Sequence, residues 1–277
     1  MSNRLEVLCV TMGQLDFRKI EQMNISCDVL FANQGGTTAF SEMTFHGCRA
    51  RMITTETRGV GVNRNIALEY AKEEVCLLAD DDMRYIDGYE DIILKEFADN
   101  PNADIIIFNI GTNTPEIGRL PTQIKKKRYM HRWSRNPFGA PRIAFRKTSV
   151  LKSNIRFSPY FGGGGVFRNG EDTIWLKQMM DAGLKVLLSP KYIGDVSYEV
   201  STCYSDNQEE RIYTTGAITE ASEGFLKPLY FVYYTMIRNY DGVPKTKAIH
   251  LFLAGMRGYS RLLPFPKYVE EEHNIQK

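Results

Sequence analysis

The chain contains no Cys-x-x-Cys pair, no two histidines spaced to share a metal, no internal repeat and no run of about 18 apolar residues. Each absence removes a class of protein. Five cysteines (Cys9, Cys27, Cys48, Cys76, Cys203) are an odd number without paired spacing, which speaks against a disulfide framework and a thiolate zinc site and fits a reducing cytoplasm. His46, His131, His250 and His273 are scattered. The apolar run in MSNRLEVLCV is far shorter than a signal-peptide core, so neither a secreted nor a membrane-spanning protein is expected. The totals of 35 basic and 33 acidic residues lack the excess that marks a general nucleic-acid binder.

What the 277 residues do have is 43% hydrophobic and 12% aromatic content, enough for the core of one large α/β domain with a small appendage. Short apolar runs alternate with helical patterns through the first 110 residues, as a parallel sheet with crossover helices requires. Strands are predicted at Leu5 to Val10, Val29 to Ala32, Arg51 to Thr55, Val75 to Ala79 and Ala103 to Ile110. Helices are predicted at Asp16 to Met23, from Val62 with Ile66, Ala67, Tyr70 and Ala71 inward, and through Tyr89, Ile92, Ile93 and Phe97. From Gly111 to Pro141 the periodicity fades and a mobile loop is expected. A strand at Ile143 to Phe145, a glycine-rich loop at Ser158 to Gly170, and a helix burying Ile174, Trp175, Gln178, Met179 and Ala182 follow. The strand Lys185 to Leu188 comes next, and the chain beyond Ser205 reads as helical.

Three consecutive aspartates, Asp80, Asp81 and Asp82, close the apolar run VCLLA. Ligands of open α/β sheets bind outside the carboxyl ends of the strands. Three like charges side by side are costly unless a cation compensates them, and a hard divalent ion does so. Magnesium takes one or two carboxylates and completes its shell with substrate phosphates, so the expected ligand is a phosphorylated small molecule. A strand-end turn usually needs only one Asx residue.

The stretch RGVGVNRNIALEYAKEEVCLLADDDMRYIDGYEDII resembles the core of glycosyltransferase family 2, nucleotide-sugar enzymes of the GT-A fold, in which an R-N-x-A helix precedes a strand ending in D-x-D. The segment GEDTIWLKQMMDAGLKVLLSP resembles the later E-D helix of that family, about 90 residues on. The likeness covers roughly residues 5 to 200 and is greatest to bacterial enzymes of capsular and surface polysaccharide synthesis. It implies a mixed, mainly parallel central sheet flanked by helices. The implied domains are a GT-A domain over 1–205, with a nucleotide half (1–115) and an acceptor and base half (116–205), and a helical extension over 206–277. It implies that Asp80 contacts the ribose, with Asp81 beside the nucleotide. Asp82, with Asp80, would hold Mn2+ or Mg2+ under the donor diphosphate. Asp172 would be the base and Glu171 would position the acceptor, while Arg64 and Asn65 lie near the nucleotide. Where many relatives read uracil with an aspartate, Asn33-Gln34-Gly35-Gly36 stands here, although a UDP-sugar remains the expected donor.

Glu171-Asp172 also suits a plain helix start, since acidic residues are favoured in a first turn. Gly162 to Gly165 is either a flexible connection or a place where backbone, at Gly165 above all, approaches a sugar closely. Between Glu116 and Glu171 there is no acidic residue but thirteen basic ones: Arg119, Lys125, Lys126, Lys127, Arg128, Arg132, Arg135, Arg142, Arg146, Lys147, Lys152, Arg156 and Arg168. The rest of the chain, with 22 basic and 33 acidic residues, carries −11. Such a segment suits a donor diphosphate, an anionic acceptor or the phosphate of a lipid-linked acceptor. Tyr129, Trp133 and Phe138 interleave with it as platforms for a single strand of nucleic acid would, but an acidic metal site and an acidic remainder do not suit a polyanion. FLKPLYFVYYTMIRNY and KAIHLFLAGMRGYSRLLPF carry aromatic and basic residues that suit either packing or peripheral contact with the inner face of the membrane. The expectation is a metal-dependent, inverting, cytoplasmic transferase acting on a glycan or lipid-linked acceptor. Its rivals are a sugar-nucleotide nucleotidyltransferase, whose phosphate loop TMGQLDFRK lacks, and a binding protein without turnover.

Overall fold

The computed structural model describes residues 4–114, 120–134, 136–197 and 207–275. Arg119, Arg135, Cys203 and the side chain of His273, named above, lie outside this description. The chain divides into two units. The first comprises Met1–Arg58, Val62–Phe157 and Trp175–Ser201; the second comprises Gly59–Gly61, Ser158–Ile174 and Thr202–Lys277.

The first unit is built on one sheet. Its strands are β1 (Leu5–Met12), β2 (Asp28–Gln34), β3 (Ala39–Phe45), β4 (Cys48–Thr55), β5 (Val75–Asp80), β6 (Met83–Tyr85), β7 (Ile105–Thr112), β8 (Arg128–Tyr129), β9 (Ile143–Arg146) and β10 (Val186–Val196). The order is β3-β4-β2-β1-β5-β9-β7-β10-β6, with β8 beside β10. The sheet is mixed and mainly parallel at its centre: β4, β2, β1 and β5 run parallel, as do β7 and β10, while β9 is inserted antiparallel. Both faces are covered, which is why the central strands are apolar at nearly every position. Leu5, Val7 and Cys9 of β1 join one core with Tyr89, Ile93 and Phe97 of α3 (Tyr89–Asp99). Leu8 joins the other, with Ala67 and Leu68 of α2 (Val60–Tyr70) and Trp175, Leu176 and Met179 of α5 (Glu171–Asp181). The short α1 (Lys19–Gln22) and α4 (Lys147–Lys152) complete the unit.

Several expectations change. The predicted helix over Asp16 to Met23 shrinks to four residues, because Asp16 accepts the backbone N–H of Arg18 and forms a turn there. β3 was not expected: every residue but Phe45 is exposed, and its clearest cue is the turn at His46-Gly47 that pairs it with β4. On α2, Asn63 and Arg64 are buried while Tyr70 is exposed; on α5 Lys177 is buried, and Ala182, just past the end of that helix, is exposed. The described part of the 111–141 segment lies against the sheet. Asn109 Oδ1 accepts the N–H of Ile124 at 2.7 Å, Val186 O accepts that of Met130 at 2.8 Å, and Ile124, Met130 and Phe138 are buried.

The second unit has its own core. Phe161 and Phe167 stack at 4.8 Å and join Ile212, Tyr213 and Ala217 of α6 (Gln208–Ser222) with Ala248, Leu251 and Phe252 of α8 (Lys245–Arg261). α7 (Lys227–Val232), a π-helical turn (Tyr233–Ile237) and α9 (Phe265–Ile275) surround it. α6 and α8 touch backbone to backbone: a Cβ on Gly216 would overlap the carbonyl of Phe252, and one on Gly255 that of Tyr213. Gly255→Ala is therefore expected to destabilise this unit by about 1–3 kcal/mol, the usual cost of an overpacked contact. A thermal melt reads it, and an unchanged melting temperature would count against the close crossing.

Candidate functional site

β1, β2 and β5 end level with one another, Thr11 opposite Asn33 and Val10 opposite Asp80, so their carboxyl ends form one corner. The three aspartates at this corner have three different surroundings. Asp80 Oδ1 accepts from Arg64 Nη2 at 2.8 Å, and the buried Arg64 guanidinium lies 5.7 Å from the Phe157 ring centroid. Asp81 Oδ2 accepts from Thr11 Oγ1 at 2.6 Å, and its carbonyl accepts from Lys19 Nζ at 2.9 Å. The same ammonium is 3.8 Å from Asp81 Oδ2.

Asp82 is exposed and has no cation within ion-pair distance among the described residues; its carbonyl accepts the N–H of Ser197. Loss of solvation at the crowded corner, and then the like charges of Asp80 and Asp81, push its carboxyl up to about 7.

The other residues singled out in the sequence turn out to be held by the protein. Asn33 is buried: its Oδ1 accepts the N–H of Gln14 at 2.9 Å, and its Nδ2 donates to Gln14 O at 2.9 Å and Thr54 Oγ1 at 3.0 Å. It fastens the loop after β1. Asn65 clasps the backbone of Phe157, donating to its carbonyl at 2.9 Å and accepting its N–H at 2.8 Å. Three residues at the corner went unread in the sequence. Thr11 and Lys19 hold Asp81, and the fully buried Asn63 donates to Ala32 O at 2.5 Å and Thr11 O at 3.3 Å, tying the ends of β1 and β2. The signal for Asn63 was present, since an asparagine on the buried face of a helix has to satisfy its amide.

A divalent ion can be tested against this donor set. Among the described residues no three His, Cys, Asp or Glu side chains are grouped as a complete cage. Asp82 nevertheless offers an exposed carboxylate crowded by like charge, with no cation in ion-pair contact among the described residues, and the Asp80 carboxylate beside it is part-exposed. One or two carboxylates, with the rest of the shell left to phosphate and water, is the donor set magnesium accepts. The residues fit such an ion.

Glu171 and Asp172 open α5 and belong to the second unit, whereas Asp80, Asp81 and Asp82 belong to the first. Glu171 is buried; Asp172 is part-exposed, and its Oδ1 accepts the N–H of Thr173 at 2.6 Å. The glycine loop before them is tightly packed. Gly163 O accepts the N–H of Val60 at 2.8 Å, and a Cβ on Gly162 would overlap Val60 and the Glu171 carboxylate. Gly165 lies against the backbone of Tyr160. These glycines serve close packing within their unit, a reason absent from the two weighed in the sequence.

Much of the basic segment is also spent on structure. Lys127 pairs with Glu96 at 2.5 Å, Arg132 with Asp181, and Arg168 with Glu210 at 3.4 Å. Arg142 is buried and donates to Thr122 O at 2.8 Å, Arg146 donates to Ala103 O and Phe97 O, and Lys147 to Lys72 O. Lys125, Lys126 and Arg128 remain exposed on the rim of a cavity of about 460 Å³ floored by Ile124, Met130 and Phe138.

Residues 23–157 match the family model described as Glycosyl transferase family 2. Among solved structures, S. aureus TarS 1-349 is similar at 15% identity and a TM-score of 0.53, over 93% of this chain and 73% of that one. The same TarS fragment in complex with UDP-GlcNAc matches at 14% identity and a TM-score of 0.52, with the same coverage. Its complex with UDP matches at 14% and 0.53, over 93% of this chain and 91% of that one. No curated protein sequence matches the chain. At these identities the solved structures speak for the fold, and the family model speaks for the residues that run from before β2 to the end of β9 and on to Phe157. Residues 23–157 thus match glycosyl transferase family 2, the chain has the GT-A fold of TarS, and the two together support glycosyltransferase activity of the kind found in bacterial surface enzymes.

Proposed function

We propose that the chain moves a sugar, with inversion, from a UDP-sugar to a glycan or lipid-linked acceptor in the synthesis of a bacterial surface polysaccharide. The observation that carries this reading is the Asp82 carboxylate, exposed and in no ion pair among the described residues, at the carboxyl end of β5. UDP as the nucleotide is supported by the UDP and UDP-GlcNAc complexes of the TarS fold. In this reading residues 1–115 bind the nucleotide, 116–205 bind the acceptor and supply the base, and 206–277 are the helical extension. In this reading the enzyme is cytoplasmic.

Asp82, with Asp80, would hold Mn2+ or Mg2+. Bound there, such an ion supplies Lewis-acid stabilisation of the departing diphosphate. Arg64 fixes one oxygen of Asp80 and leaves the other to the ribose or the ion. Thr11 and Lys19 orient Asp81 and so set the turn on which Asp82 stands. Asn65 and Gly165 act on the nucleotide side through the loops they shape. Asp172 removes the proton from the acceptor hydroxyl as the glycosidic bond forms, and Glu171 positions that acceptor; a group in the base role contributes typically 10²–10⁴-fold.

Thermal melts with UDP-, GDP- and dTDP-sugars, each with and without Mn2+, test the reading. A ligand present at about 100 times its Kd stabilises by roughly 2.7 kcal/mol, a rise of several degrees. The expected result is a metal-dependent rise with a UDP-sugar. No rise with any of the three would overturn the proposal.

A further inference from the structure

Three cations of the basic segment are left over after structure has taken its share. Lys125, Lys126 and Arg128 are exposed, and none has an ion pair or a side-chain hydrogen bond among the described residues. The backbone that carries them is nevertheless fixed on both sides. The Asn109 amide brackets Ile124, accepting its N–H at 2.7 Å and donating to its carbonyl at 3.0 Å. Arg128 and Tyr129 pair antiparallel with Leu188 and Leu187 of β10, and the N–H of Met130 donates to Val186 O at 2.8 Å. Between these anchors only Lys127 finds a carboxylate, that of Glu96. The other three charges are held in place by a backbone that gains no ion pair from them.

What they border is an apolar cavity in the first unit. It measures about 460 Å³, within the range of small-molecule sites, and Ile124, Met130, Phe138 and Leu188 form its floor. No aspartate or glutamate lines it. The rim and the floor select a ligand together. A phosphate monoester carries about −1.5 to −2 at neutral pH and takes charge-assisted hydrogen bonds from arginine and lysine, so three cations match it. A phosphate on a polar body leaves the floor in water, and a neutral hydrocarbon leaves the cations unused. A phosphate joined to a hydrocarbon chain uses both.

We infer that this cavity binds the phosphate end of a lipid carrier, an alkyl or isoprenoid phosphate, with the phosphate on Lys125, Lys126 and Arg128 and the start of the chain over the floor. This selects the lipid-linked form of the acceptor and rests, for the ligand's role, on the sugar-transfer reading; binding is measured without donor or metal, so the two fail separately. Octyl phosphate is titrated calorimetrically into the full chain below its micelle concentration, beside butyl phosphate, glycerol phosphate and octyl glucoside. Saturable binding of octyl phosphate is expected, at least about tenfold tighter than that of butyl phosphate, since each buried methylene is worth up to about fourfold. Glycerol phosphate, with the charge but no apolar chain, and octyl glucoside, with the chain but no charge, are each expected to bind at least about tenfold more weakly than octyl phosphate. Lys125→Ala/Lys126→Ala/Arg128→Ala is expected to lose at least about tenfold in affinity with an unchanged circular-dichroism melt, because all three side chains are exposed. The ligand comparisons need no variant and decide the matter even if the triple substitution unfolds the chain. No saturable binding of octyl phosphate, or full affinity in the triple variant, would overturn the inference. Glycerol phosphate binding as tightly would overturn it in favour of a phosphate-bearing glycan, and octyl glucoside binding as tightly would remove the role of the cations. Displacement of octyl phosphate by UDP would also overturn it, by giving the cavity to the donor.

Discussion

Asp82→Asn is expected to lower kcat/KM for sugar transfer by about 10²-fold or more and, in the same protein, to raise the stability of the metal-free enzyme above pH 7. The loss follows if this carboxylate holds the ion that stabilises the leaving diphosphate, since a lost electrostatic contact of that kind typically costs 10²–10³ in rate. The gain in stability comes from the surroundings of the side chain. Desolvation and then the charges of Asp80 and Asp81 raise its carboxyl from the usual 3.8 to about 7. A raised carboxyl contributes no penalty below pH 3.8, where it is protonated folded or unfolded; its penalty grows above that and is complete once pH passes 7. Asparagine removes the penalty, so thermal melts in a chelator are expected to separate variant from wild type at pH 8 and to converge towards pH 4. Asp81→Asn provides the contrast: its amide oxygen still accepts from Thr11, only the half-exposed pair with Lys19 is lost, and the stability is expected to change by less than about 1 kcal/mol at either pH. An Asp82→Asn protein that melts lower than wild type at pH 8, or that transfers sugar at the wild-type rate, contradicts the account.

The sequence announced this corner because a block of charge after a buried strand is costly and therefore conspicuous. Its supports were not conspicuous. Thr11 and Lys19 read as a strand residue and an ordinary basic residue, and only the level ends of β1 and β5 and the placement of α1 bring them to Asp81. The central strands were legible because both faces are buried and the pattern is nearly unbroken. β3 was hidden because exposure on both faces leaves no alternation to detect. Long-range pairing also concealed the fate of the basic segment. Nothing near Arg142 in sequence shows that its guanidinium is buried against the Thr122 carbonyl, or near Lys127 that Glu96 is its partner. Local periodicity reports which side of an element is covered, but not which distant group covers it.

Asp172→Asn is expected to reduce kcat by about 10²–10⁴-fold while leaving the UDP-sugar-induced rise in melting temperature unchanged. One contact of Asp172 survives this substitution. Asp172 Oδ1 accepts the N–H of Thr173 in the first turn of α5, and an asparagine Oδ1 accepts the same bond, so the helix start keeps its partner. What the amide lacks is a lone pair basic enough to take a proton from an acceptor hydroxyl. A purely structural aspartate would therefore show a small change in stability and none in kcat, whereas a base shows the reverse. Glu171 supplies the internal comparison: it is buried beneath Gly162, so Glu171→Gln is expected to act through the packing of that loop and to raise the KM for acceptor more than it lowers kcat. Steady-state transfer assays with both variants, paired with donor thermal shifts, separate the two roles. Wild-type kcat in Asp172→Asn would remove it as the base and turn attention to other carboxylates of the second unit.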